Sequence, residues 1–148
     1  MESFSKFAKK GVLRDTLKHQ GKRNQLVEMI ASKGIREKGV LAAIGAVPRH
    51  LFMDSGFEDH AYQDKAFPIG SGQTISQPYT VAFQTELLKI SPGMKIMEIG
   101  TGSGFQACVL LEMGAKVYSI ERQKHLYEKT RKLLPGLGYS PKLFYGDG

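Results

Sequence analysis

The stretch Glu98-Ile99-Gly100-Thr101-Gly102-Ser103-Gly104 puts an acid directly ahead of three closely spaced glycines. Glycines between a strand and a helix let the backbone pass close to a ligand at the carboxyl edge of a parallel sheet. Glu121 follows Gly102 by 19 residues, near the ~20-residue spacing of an acid that grips ribose hydroxyls. Asp147, between Gly146 and Gly148, ends a later apolar run on the same predicted edge, where it could meet an adenine amino group. The glycines alone leave the nucleotide open, because Gly102-x-Gly104-x-x-Ala107 also fits a dinucleotide pattern. Glu98 narrows it. An acid just before the turn would repel a pyrophosphate but favours a positive centre with an amino-acid tail. That describes S-adenosylmethionine.

A second stretch, Gly72-Gln73-Thr74-Ile75-Ser76-Gln77-Pro78, is small and polar and runs straight into a predicted helix. Pro78 suits a first helical turn, and Ser76 sits at or beside the N-cap. Capping accounts for those two residues and leaves Gly72, Gln73 and Thr74 unexplained. Ser76 does not read as a hydrolase nucleophile, since no His/Asp pair follows it at a legible spacing. His50, His60 and His125 read as surface or capping residues.

The elements that must position these groups follow from periodicity and breakers. Residues 24–33 predict a short amphipathic helix through Leu26, Val27 and Ile30, closed by Gly34. Residues 36–47 predict another, stopped by Pro48, and residues 50–71 read as loop with scattered aromatics. A helix over 79–90 ends at Ser91-Pro92-Gly93. From there strands over 95–99, 116–120 and 142–145 alternate with helices over 105–113 and 123–134, the last stopped by Pro135-Gly136. Strand–helix alternation with short connections predicts an α/β fold with a doubly wound, mainly parallel sheet. Three segments result: a basic arm over 1–23, a helical and loop segment over 24–92 that carries the second stretch, and a nucleotide-binding half over 93–148.

Composition sets the outer bounds. The chain has 148 residues, 41% hydrophobic and 24% charged, enough for one domain with a real core. One cysteine, Cys108, excludes an internal disulfide and a cysteine-based zinc cluster, and a reducing cytoplasmic setting is the default expectation. No apolar run approaches the roughly 20 residues of a membrane span. The net charge is +7, and five Lys and two Arg against Glu2 and Asp15 concentrate most of it in residues 1–23. A confined basic arm is read as a solvated face, with neither nucleic acid nor membrane as partner.

Several motifs occur together in order: Val47-Pro48-Arg49-His50-Leu51-Phe52, Pro68-Ile69-Gly70, Gly72 to Pro78 with Tyr79, Glu98 to Gly104 with Gln106, Ser119-Ile120-Glu121-Arg122, and Gly146-Asp147-Gly148. In this combination the sequence resembles the protein-L-isoaspartate (D-aspartate) O-methyltransferase family, from about Asp15 to the last residue. The stretch Gly72 to Pro78 is its most specific motif. The resemblance implies a Rossmann-like class I methyltransferase fold using S-adenosylmethionine, without a metal. Its substrates would be L-isoaspartyl or D-aspartyl residues of damaged proteins, methylated on the carboxylate, with succinimide formation from the ester then restoring some normal aspartate. It makes Ser76 the active-site serine, with Thr74 and Ile75 lining the same pocket. Glu98 with Gly100, Thr101, Gly102 and Gly104 would hold the methionine end of the cofactor. Glu121 would hold the ribose, and Asp147 with Gly148 the adenine. Phe105 departs slightly, since tyrosine is frequent there in the family. A monomer is expected.

The resemblance also implies a seven-stranded sheet of order 3-2-1-4-5-7-6, of which strands 1 to 3 are legible. The chain is therefore expected to be a fragment with reduced or no activity, and strand 1 to lie at a sheet edge. Two alternatives remain in view: a Rossmann-fold methyltransferase acting on another substrate, and an inactive cofactor-binding fragment. The stretch Gly72 to Pro78 argues against the first, and the joint presence of Ser76, Glu98, Glu121 and Asp147 against the second.

Overall fold

Thr16 opens the first helix among the described residues. In the computed structural model, which describes residues 15–148, α1 spans Leu17–Ser32. The Thr16 hydroxyl accepts from the His19 N–H at 3.3 Å, and His19 Nδ1 accepts from the Thr16 N–H at 3.2 Å. This reciprocal cap starts the helix well before the predicted Asn24. Apolar periodicity missed those extra turns because they are polar and held by ions. Arg23, which charge counting put in a basic arm, is buried. It donates to both Asp15 oxygens at 3.0 and 2.8 Å, to Gly45 O at 2.8 Å and to Tyr62 Oη at 2.9 Å. Of the predicted arm over 1–23, residues 1–14 lie outside the described residues.

Helix α2 spans Lys38–Ala46 and stops where Val47 turns extended ahead of Pro48. The predicted loop that follows is more ordered than its composition suggests. Two 3-10 turns, Arg49–Phe52 and Ser55–His60, lead to an antiparallel hairpin of β1, Phe67–Gly70, and β2, Gln73–Ile75. The strands are too short to display alternation, and Ser71 and Gly72 turn the chain with φ of 53° and 67°. Helix α3, Pro78–Leu87, starts at its proline as predicted, but Lys89 with φ 48° ends it before Ile90.

The remaining elements alternate: β3 Lys95–Ile99, α4 Phe105–Glu112, β4 Lys116–Glu121, α5 Lys124–Gly136 and β5 Lys142–Tyr145. Pro135 does not stop α5 but sits inside its last turn. The strands form one parallel sheet of order β3-β4-β5, the Rossmann-like α/β arrangement. In register, Glu98 faces Ser119 and Glu121 faces Tyr145. Among the described residues β3 is an edge, with Met97 67% and Ile99 63% exposed.

One apolar cluster joins the helical segment to the sheet. It contains Leu26 and Ile30 of α1, Ile44 of α2, Ile69 and Ile75 of the hairpin, Phe105 of α4 and Leu134 of α5. Phe52 meets Phe105 edge-on at 5.7 Å. Burial of Ile75 contributes about 1.5–3 kcal/mol and pins the hairpin against the start of α4.

Candidate active site

In a strand, neighbouring side chains point to opposite faces. Ile75 is sunk in the core, so Thr74 and Ser76 on either side of it are exposed. They face a cleft at the carboxyl ends of β3, β4 and β5. A cavity of about 530 Å³ there is lined by Thr74, Ser76, Gly100, Gly102, Glu121, Asp147 and Gly148 among others. A smaller adjoining cavity of about 70 Å³ is lined by Thr74, Ile75, Ser76, Glu98, Thr101 and Phe105 among others. Thr74, Ser76, Gly100 and Gly102 belong to both. Every residue predicted for the site thus reaches the cleft except Gly104.

Gly104 lines neither cavity and has a packing role. With φ 84°, it holds the left-handed turn before α4, and a Cβ there would lie 2.9 Å from Thr130 Cγ2 and 3.1 Å from Leu134 Cδ2. Its missing side chain lets α4 seat against α5. A second correction concerns Ser76 as a helix cap. The N-cap residue of α3 is Gln77, without a side-chain cap bond of its own, and the Tyr79 N–H is satisfied by Asp64 Oδ1 at 2.8 Å. His50 also departs from its surface reading. It is 4% exposed, meets Tyr62 Oη through Nδ1 at 2.7 Å and stacks on His19 at 3.7 Å.

Glu121 closes β4 beneath the glycine turn and is 4% exposed. Its Oε2 accepts from the Gly102 N–H and its Oε1 from the Gln123 N–H, both at 2.8 Å. The 19-residue spacing noted in the sequence is therefore spanned by a direct hydrogen bond. A carboxylate has about four lone-pair sites, so both oxygens keep capacity for hydroxyl donors in the cleft. The turn is tied to β4 again by Gly100 N to Ile120 O at 2.7 Å.

Glu98 at the end of β3 is pushed up to about 7, first by burial and then by the charge of Glu121, against a hydrogen bond from Ser119. Two acids so close make the cleft a place for a cation or for hydroxyl donors, and a poor one for a pyrophosphate. Gly102, with φ 56°, takes a left-handed conformation that glycine adopts without strain. These donors and acceptors fit a nucleoside carrying a cationic amino-acid tail.

Sequence reasoning missed several wall residues: Gln73, Ile99, Arg122 and Gln123 in the larger cavity, and Val81 and Gln106 in the smaller. It also assigned no role to Ser119, which lies under the cleft. The signal available for Ser119 was its place between Val117 and Glu121 on one face of a strand, where a polar side chain must find partners.

The model of the family described as protein-L-isoaspartate(D-aspartate) O-methyltransferase (PCMT) matches residues 21–148. A protein-L-isoaspartate O-methyltransferase of Christiangramia forsetii is 66% identical over 137 residues, covering 92% of this chain and 64% of that protein. One from Flavobacterium psychrophilum is 63% identical with the same coverage of each. The chain thus spans a little under two thirds of the length of these relatives. A solved structure described as a protein-L-isoaspartate O-methyltransferase superposes with TM-score 0.77 at 25% identity, covering 85% of this chain and 42% of that one. A putative protein-L-isoaspartate O-methyltransferase from Plasmodium falciparum, solved with S-adenosyl-L-homocysteine, superposes with TM-score 0.69 at 24% identity, covering 84% and 62%. That last likeness speaks to the fold. On sequence, fold and the placing of its motifs, this chain belongs to the protein-L-isoaspartate (D-aspartate) O-methyltransferase family.

Proposed function

We propose that the protein methylates the side-chain carboxylate of L-isoaspartyl, and also D-aspartyl, residues in damaged proteins, using S-adenosylmethionine. The observation that carries this reading is the meeting of the Thr74–Ser76 hairpin with the glycine turn and Glu121 at one cleft. When bound, S-adenosylmethionine supplies a methyl group on a positively charged sulfur. Glu98, Gly100, Thr101 and Gly102 would hold its methionine end, Glu121 its ribose, and Asp147 with Gly148 its adenine.

The chain's residues need not remove a proton from this substrate. An isoaspartyl carboxylate, with an ordinary pKa near ~4, is ionised at neutral pH. What the site must supply is position, and alignment of two reactants is worth up to ~7–11 kcal/mol. Ser76 is suited to that task because Asp64 has taken over the capping of α3. Its hydroxyl is exposed on the cleft wall and bonds to no group among the described residues. As a donor it would fix one carboxylate oxygen, with Thr74 beside it. In this reading residues 24–92 bring the substrate side and residues 93–148 the cofactor side. The protein acts as a cytoplasmic monomer.

Labelled methyl transfer to matched peptides tests the function. A peptide with L-isoaspartate should be labelled and its normal aspartyl counterpart ignored; equal labelling of both would sink the proposal. Elution as a dimer would remove the monomer.

A further inference from the structure

Ser119 lies at the centre of β4 with 0% exposure. Its register partner on β3 is Glu98, and its Oγ donates to Glu98 Oε1 at 2.5 Å. The same Oγ lies 2.6 Å from Thr101 Oγ1. A serine hydroxyl has one proton, so while it donates to Glu98 it must accept from Thr101. The chain Thr101 to Ser119 to Glu98 therefore runs in one direction. An oxygen separation this short falls in the about 2.5–2.7 Å range of a hydroxyl bonded to an ionised carboxylate.

We propose that Ser119 is a positioning residue of the cofactor site: its hydroxyl, fed by Thr101, aims the Glu98 carboxyl beside the glycine turn and favours its charged form, ready for a cationic group. Only the identity of that cation rests on the reading of S-adenosylmethionine as cofactor. Burial and the charge of Glu121 on β4 both favour the protonated form of Glu98, and Ser119 opposes them. Glu98 shares its small cavity with Thr74, Ile75 and Ser76 of the hairpin arm, Val81 of α3, the residues of the glycine turn, and Phe105 and Gln106 of α4. Those side chains carry no charge, so Glu121 is the charged group that faces it among the described residues. Without Ser119, burial and Glu121 act unopposed. The protonated form of the carboxyl would then predominate at neutral pH, and its attraction for a cation would weaken.

The direct measurement is a carbon-13 NMR titration of the Glu98 carboxyl, its signal assigned by loss in Glu98→Gln. Ser119→Ala should raise the midpoint by about one pH unit or more, a roughly tenfold gain in proton affinity, the scale of a lost hydrogen bond to a charged group. Ser119→Thr keeps the hydroxyl and should hold the midpoint near that of the unaltered chain. Thr101→Val removes the feeding hydroxyl at constant shape and should move it the same way, which covers the case of an unfolded Ser119→Ala. A merely structural serine would lower the melting temperature of its variants and leave the midpoint in place, and that result overturns the proposal. Calorimetry with S-adenosylmethionine separates the two readings. A shifted midpoint with no binding by the unaltered chain removes the cofactor assignment alone, whereas binding with an unmoved midpoint removes the role of Ser119 alone.

Discussion

Asp64 Oδ1 accepts a hydrogen bond from the Tyr79 N–H at 2.8 Å, so the helix that follows the Thr74–Ser76 arm is capped from a distant loop. Asp64 Oδ2 also receives Gln77 Nε2 at 3.0 Å and Lys33 Nζ at 2.6 Å. Burial pushes the Asp64 carboxyl up, but the bonds from Lys33, Tyr79 and Gln77 outweigh it and hold the group below its ordinary value. Asp64→Ala is expected to cost about 0.5–2 kcal/mol for the cap alone, while Ser76→Ala costs little. At roughly 2–4 °C per kcal/mol for a domain of this size, thermal melts resolve the two. A Ser76→Ala protein that melts as early as Asp64→Ala would return the capping role to Ser76. Because the folded value is depressed, the Asp64 contribution is present above ~4 and fades as pH falls through the lower folded value.

Ser76→Ala should act on turnover instead. Misplacement of a reacting group by about 1 Å can cost ~10²-fold in rate, so kcat with an isoaspartyl peptide is expected to fall while cofactor affinity stays close to that of the unaltered protein. Normal turnover in a folded Ser76→Ala variant would remove the serine from the site.

Glu98 carries the opposite sign to Asp64. Its folded value is raised to about 7 from an ordinary ~4.3, so the folded state binds the extra proton between those values. Stability therefore declines as pH rises through that window and levels off above it. Glu98→Gln is expected to be more stable than the unaltered protein at pH 8, by the order of 1–3 kcal/mol, with the gap closing toward pH 4. Denaturant titrations at the two pH values measure this, and a gap independent of pH would contradict the assignment.

At Gly104 a side chain has no room. Gly104→Ala pushes a methyl to 2.9 Å from Thr130 Cγ2 at a φ of 84°, and backbone strain with overpacking should cost about 1–3 kcal/mol each. Gly100→Ala meets open space and bears the φ strain alone. Unfolding midpoints should rank Gly104→Ala below Gly100→Ala. The reverse order would mean that α5 yields to the methyl.

Glu121→Ala removes the acceptor for two backbone N–H groups and, in the proposed reading, for the ribose hydroxyls. S-adenosylhomocysteine binding should weaken by about 1.5–3 kcal/mol, the scale for hydrogen bonds to a charged group, as read by calorimetry. Unchanged affinity would place the ribose elsewhere.

The sheet half of the chain was legible because its signals are local. Short apolar runs bounded by turn and helix signals give β3, β4 and β5, and their alternation with helices over short connections gives the parallel arrangement. The N-terminal part was less legible because its order comes from partners far away in sequence. Helix α1 extends to Leu17 on the strength of Arg23 reaching Asp15, Gly45 and Tyr62. The hairpin is set by Ile69 and Ile75 entering a shared core, and three- or four-residue strands carry no period of their own. The packing demand at Gly104 was not legible because a motif names a glycine without saying which neighbour needs the space.

Ile69 Cδ1 lies 3.6 Å from where a Cβ on Gly102 would stand, so the back of the hairpin rests on the glycine turn. The hairpin is therefore no independently opening flap. Freeing Thr74 and Ser76 means lifting Ile69 and Ile75 out of the apolar cluster that also holds Phe105. Amide hydrogens of β2 and of the glycine turn should then exchange with solvent as one cooperative unit. A small molecule gripping the turn alone would slow exchange in a hairpin it does not touch.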